Sequence, residues 1–318
     1  MNNFKKIGLT ALASSLVTLG ATAGEMSVSG GINTTLKFGK GGGNTGRTIG
    51  SDKDFTVSGG GELDNGLNVS LSYQLDNAAG VSGPFDDHSI TISSDEIGTI
   101  KFSGHGGSSA TSAMDATAAG DIWDGFDGAL GGVTGLAIGA SGGTDNSIYY
   151  TAPSLMDGLT LNASYNPQGA TPESETGYGV TYTGVEGLTL KYGIMDENTG
   201  VTGTSGDQTA WHIGYAIGPV TLEVTNNDYD MSAATNDKET SSYEISYTVS
   251  DELSVAYGTE SIDDGNTSTD AEFSALVVTY TAGGMTITGK MEEADNIAGG
   301  TASNQDFEYW FLGAAFAF

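Results

Sequence analysis

From Gly24 to the end of the chain, apolar and polar residues alternate with a period of two, the pattern of β-strands that bury one face only. Val28, Ile32, Leu36 and Phe38 share one face of the first predicted strand and Lys37 takes the other. Segments 54–63 and 67–75 follow, joined by Asp64-Asn65-Gly66, a strong hairpin signal. Segments 88–94 and 99–103 flank a short turn at 95–98. Beyond residue 146 the alternation predicts strands at 147–153, 159–166, 177–183, 188–195, 208–217, 220–228, 239–249, 253–260, 271–281, 285–292 and 305–318. The total is about sixteen, with short turns and longer polar loops in strict alternation. An even count with all the long loops at one end predicts an all-β chain: a transmembrane antiparallel β-barrel of about sixteen strands. A β-sandwich shares the alternation but has no reason to sort its loops by length.

One stretch breaks the cadence. Residues 103–146 are rich in Gly, Ala and Ser and carry Asp115, Asp121, Asp124 and Asp127. So long a segment without a strand pattern marks function. It is predicted to fold into the lumen as a constriction loop.

Parity then places the charges. Lys37, Lys101, Lys191, Lys290, Glu62, Glu223 and Glu244 oppose apolar neighbours, and His212 stands between Trp211 and Ile213. A dry core cannot hold these groups, because unpaired buried charge is too costly. The polar face therefore lines a wet interior and the apolar face meets lipid. Sixteen strands enclose an aqueous channel in any case.

Composition sharpens this. Forty acidic against ten basic residues give −30, which excludes nucleic acid as a partner and favours cations, divalent ions among them. Without cysteine there is no disulfide, thiolate metal site or thiol nucleophile. At the N-terminus, Lys5 and Lys6, an apolar run over 7–20 and Ala21-Thr22-Ala23 predict a signal peptide at 1–23, leaving 24–318 as the barrel domain. No other stretch approaches the roughly eighteen apolar residues of a membrane helix.

Other motifs carry less. Gly41–Thr48 approaches a phosphate loop, but Arg47 stands where Lys belongs and no helix follows. His105-Gly106-Gly107-Ser108 has the look of an oxyanion-hole loop, yet no Gly-x-Ser-x-Gly elbow accompanies it, and no enzyme is predicted. The runs 226–230 and 263–270 are rich in oxygen ligands without EF-hand spacing. They read as solvated loop acids, with divalent ions bridging to lipopolysaccharide phosphates as the alternative. No cofactor is required, although Asp121, Asp124 and Asp127 are candidate calcium ligands that would stiffen the loop. Aromatic residues near strand ends, Tyr149, Tyr165 and Tyr192 among them, read as interfacial girdles.

Trp310, Leu312, Ala314 and Phe316 alternate before the terminal Phe318. This strand resembles the assembly signal of outer-membrane proteins. Ile97–Phe102 and Asn146–Pro153, followed by Gly158-Leu159-Thr160-Leu161, resemble the segments entering and leaving a porin constriction loop. Over its whole mature length the chain resembles the Gram-negative general diffusion porins of alphaproteobacterial type. The resemblance implies an outer-membrane homotrimer inserted by the barrel assembly machinery, in contact with lipid and lipopolysaccharide, with a water-filled pore in each subunit. It implies passive diffusion of small hydrophilic solutes and ions, and the chain's scarcity of basic residues adds a preference for cations. It also implies that the loop acids Asp115, Asp121, Asp124 and Asp127 face a basic wall, for which Lys37, Lys101, Arg47 and Lys53 are the candidates. Arg47 is the chain's only arginine, so a dense arginine cluster is absent. Two rivals remain at this point: a pore selective for one solute class, and a secreted calcium-binding β-solenoid or surface protein, for which no tandem repeat is seen.

Overall fold

The computed structural model describes residues 26–41, 46–76, 85–111, 116–126, 145–167, 174–198, 205–233, 236–297 and 306–317. The signal segment 1–23, the loop acids Asp115 and Asp127, and Phe318 lie outside them. Among the described residues there are sixteen strands. They are β1 (Met26–Gly41), β2 (Arg47–Glu62), β3 (Asn68–Asp76), β4 (Phe85–Ser94), β5 (Gly98–His105), β6 (Ser147–Thr151), β7 (Leu159–Asn166) and β8 (Glu175–Tyr182). The remainder are β9 (Leu188–Glu197), β10 (Gly206–Ile217), β11 (Val220–Met231), β12 (Lys238–Thr248), β13 (Leu253–Asp264), β14 (Ala271–Ala282), β15 (Met285–Asp295) and β16 (Phe307–Ala317).

Each strand pairs antiparallel with its sequence neighbours, and β16 returns to β1, closing the barrel. Closure leaves no sheet edge, so every spanning backbone group finds a partner without water. A solenoid is overturned by this topology, because consecutive strands here are hairpins rather than stacked coils. The predicted tight turn forms as expected: Leu63 N–H donates to the Leu67 carbonyl at 2.7 Å, and Gly66 takes φ 81°.

The apolar parity set points outward. Ile32, Phe102, Leu190, Ile213, Leu222, Tyr243 and Leu312 are all exposed on the outer wall. In a bilayer that band is solvated by lipid, which is why it is stable without a covering layer. Trp310 and Phe316 belong to it, and Ala314 shares their face through its pairing with Thr34 and Ile287.

Three boundaries differ from expectation. β2 begins at Arg47 and not at the predicted 54, so Arg47 and Lys53 stand in the strand. β11 runs to Met231 and absorbs the whole run 226–230; β13 runs to Asp264. In each case the hydrogen-bond ladder continues beyond the apolar band, where neither face needs a hydrophobic residue and the alternation disappears. Tyr149 is a further correction: it pairs with Lys101 on β5 and faces inward, not toward the lipid girdle.

Candidate functional site: the lumen wall and its inward loop

The described parts of the loop run along the inside of the barrel and are fastened strand by strand. Ala110 N–H donates to Ser164 Oγ on β7 at 2.8 Å, and Thr111 donates its hydroxyl to Gln208 Oε1 on β10 at 3.0 Å. Ala118 N–H reaches Thr225 Oγ1 on β11 at 2.9 Å, and Ala119 N–H reaches Ser242 Oγ on β12 at 3.0 Å. The strongest fastening is Glu260 on β13. Its carboxylate accepts the Thr117 hydroxyl, Ile122 N–H at 2.8 Å and Trp123 N–H at 2.9 Å. The last two are orphan donors at the start of the 3-10 turn Ile122–Phe126, so one buried acid both caps the turn and binds it to the wall.

The turn then delivers Phe126, which is fully buried, against Phe273 of β14 and Tyr309 of β16, with ring centroids 5.7 and 4.9 Å away. Ala119 and Ile122 complete the contact with Ile262, Ala275, Ala294 and Phe307. This is a small hydrophobic core built on one side of an otherwise wet lumen. Small inner-wall residues permit it: a Cβ at Gly258 would collide with the Cβ of Ala119.

Lys37 on β1 meets the far end of this segment. Its ammonium donates to the Gly125 carbonyl and sits 3.9 Å above the Tyr309 ring. Glu292 on β15 lies beneath Gly125 and is ion-paired to Lys290 at 3.4 Å. Lys37 therefore clasps the loop that it was expected to face across the lumen, and the picture of a basic wall standing opposite acidic loop residues is corrected at this position.

Asp121, at φ 55°, accepts Thr117 N–H at 2.9 Å on Oδ1 while its own N–H donates to Thr117 Oγ1 at 2.8 Å. Its carboxylate is committed to folding the loop. Among the described residues it forms no metal-ligand group with Asp124, and Asp127, the third calcium candidate, falls outside them. Asp124 is exposed on the loop.

Arg47 and Lys53 do not line the lumen. Directly paired residues share a face; Arg47 stands opposite Phe38, with its guanidinium over that ring at 5.8 Å, and Lys53 stands opposite Ile32. Both partners are outward residues. The remaining charged residues singled out from the sequence lie on the inner parity. Lys101 flanks Tyr149, and Glu62 ends β2 on the inner parity. Lys191, His212, Glu223 and Glu244 form a row along the wall of β9 to β12, in which Glu223 is directly opposite Glu244 and 3.6 Å from His212 Nε2.

Sequence reasoning missed Glu260, Thr117, Gln208, Glu292 and Tyr309. A signal was present, since inner positions around them are small (Gly258, Ala271, Ala275, Ala294), and small residues on a lumen face mark where another segment lies against the wall.

A closed antiparallel barrel with a loop laid along its inner wall is the architecture of a channel-forming outer-membrane protein. The chain belongs to the Gram-negative porin family, whose model matches residues 8–318. Among solved structures it is similar to a porin refined at 1.8 Å resolution, at TM-score 0.69 and 17% identity, covering 92% of this chain and all of that one. A variant of the Rh. blastica porin gives TM-score 0.67 at 16% identity, covering 92% of this chain and 100% of that chain. The anion-selective porin from Comamonas acidovorans gives 0.66 at 15% identity, covering 93% and 100%. No curated protein matches the chain. At these identities the likeness speaks for the fold.

Proposed function

We propose that the pore passes small hydrophilic solutes and ions by passive diffusion and favours cations. The fold does not dictate selectivity, since a similar barrel is described as anion-selective, so the lumen's own charges must decide it. One observation carries the reading: the inner-wall carboxylates Glu223 and Glu244 stand directly opposite each other, with His212 and Lys191 on the Glu223 side alone, so that Glu244 leaves negative charge for cations to gather at. The lumen lysines do not offset them equally, because Lys37 is held by the loop and Lys290 by Glu292. Asp124, exposed on the loop, adds to the negative side.

The same reading includes cleavage of 1–23, assembly as a homotrimer, insertion by the barrel assembly machinery through β16, and contact with lipopolysaccharide. It takes 103–146 as the constriction. The test is the reversal potential of the purified protein in a planar bilayer under a salt gradient. Cation preference that falls in the double variant Glu223→Gln/Glu244→Gln supports the reading. Anion preference in the unmodified protein would end it.

A further inference from the structure

The long-loop end of β4 and β5 brings together a group that the pore does not use. Asp86 and Asp87 open β4, His105 closes β5, and Asp145 lies where the chain returns from the loop to β6. His105 Nδ1 is 3.3 Å from Asp86 Oδ1 and 2.9 Å from Asp87 Oδ1, and Nε2 is 3.7 Å from Asp145 Oδ1. A register shift between His88 and Ser89 brings His105 level with His88. Gly106, at φ 62°, leaves the space that the Asp87 carboxylate occupies.

We propose that Asp86, Asp87 and His105 bind a transition-metal dication of the zinc or copper kind at the root of the loop, with Asp145 orienting the imidazole. Three features point to a metal. The ligand atoms of the three residues all lie within 4.8 Å of one another. With metal–ligand bonds of about 2.1 Å, neighbouring ligands are separated by roughly 3.0–3.4 Å between octahedral and tetrahedral geometry. The separations from Nδ1, 3.3 Å and 2.9 Å, lie close to that range, the shorter being a hydrogen bond to Asp87 that an ion would replace. The carboxylate facing the imidazole's second nitrogen is the usual partner of a metal-bound histidine. The imidazole selects the class of ion, since calcium and magnesium prefer all-oxygen shells.

The placement gives the site a consequence. His105 stands where the chain leaves β5 for the loop and Asp145 where it comes back to β6, so a bound ion ties the two roots of the loop to β4. The ion thereby restrains the loop at its root, independently of Glu260.

The experiment is Zn2+ uptake by the folded protein in detergent, measured by equilibrium dialysis against excess Ca2+, which occupies oxygen-only surface acids. The barrel fold of each variant is verified by its heat-modifiable migration on a gel. One Zn2+ per chain, lost in His105→Gln and in Asp86→Asn/Asp87→Asn but kept in His88→Ala, is the expected result. Cu2+ in the same site gives an electron paramagnetic resonance spectrum with splitting from a single nitrogen. Absent uptake, uptake unchanged in His105→Gln, or complete displacement by Ca2+ overturns the site. These readouts need no ion flow, so they stand or fall apart from the channel reading. In bilayers, Zn2+ quiets conductance fluctuations of the unmodified protein and not of His105→Gln; unchanged fluctuations with Zn2+ bound overturn the restraint.

Discussion

The inner wall has two sides that the amino-acid pattern treats alike and the structure does not. Along β1 to β4 no described residue is buried, and the inward acids Asp52, Asp54 and Glu62 are exposed. From β8 round to β16 the same parity leads under the loop, where Glu175, Glu197, Glu260 and Glu292 are each at most 6% exposed. Facing the lumen is therefore different from facing water. A carboxylate on the bare side acts on passing ions through a high dielectric, whereas a buried one spends its charge on neighbouring groups: Glu197 on Tyr229, Glu292 on Lys290 and Glu260 on the loop itself. Glu260 is the clearest case, and Lys37 is its cationic counterpart at the far end.

The covered side breaks most severely at Glu260. Glu260→Ala strips the acceptor from two backbone N–H groups and a hydroxyl, at about 1–3 kcal/mol for each buried donor left unpaired. Single-channel conductance should rise as the loop leaves the wall, and the temperature at which the folded gel band is lost should fall. An unaltered conductance in a well-folded variant would show that Glu260 does not hold the constriction. Gly258→Val attacks the same contact by volume, since its first carbon already collides with Ala119. It should widen the pore too, with less loss of stability because no polar group is orphaned.

The row on β11 and β12 probes charge that remains wet. A unit charge about 4 Å from an ion in water is worth about 1 kcal/mol, or roughly a fivefold change in local ion concentration. Glu223→Gln/Glu244→Gln should reduce the cation-to-anion permeability ratio by up to about that factor for each charge removed, with conductance little altered. Lys37→Met is expected to act on the loop and not on selectivity. It loses the bond to the Gly125 carbonyl and the Tyr309 face, so current noise should grow while the reversal potential moves little. At the bottom of the scale, Arg47→Gln and Lys53→Gln should leave the reversal potential where it was, because both side chains are on the outer face. A shift comparable to that of the glutamate pair would contradict their placement.

Much of the architecture was legible in the residues alone. Period-two alternation, Asp64-Asn65-Gly66 and the even count of strands led to a closed barrel, and parity put Ile32, Leu190 and Leu312 outside and Lys191, Glu223 and Glu244 inside. These properties are local: a strand's pleat sends neighbouring side chains to opposite faces whatever lies further away. The alternation failed as a guide above the lipid band, which is why the predicted strand began at 54 although β2 already includes Arg47 and Lys53. What only the tertiary structure decided is where the loop lies. Its contacts join Thr117 to Glu260 and Lys37 to Gly125, across 143 and 88 positions. No sequence period encodes such pairs, because they arise when a glycine- and alanine-rich segment with little pattern of its own settles onto whatever small residues, hydroxyls and carboxylates the closed wall presents.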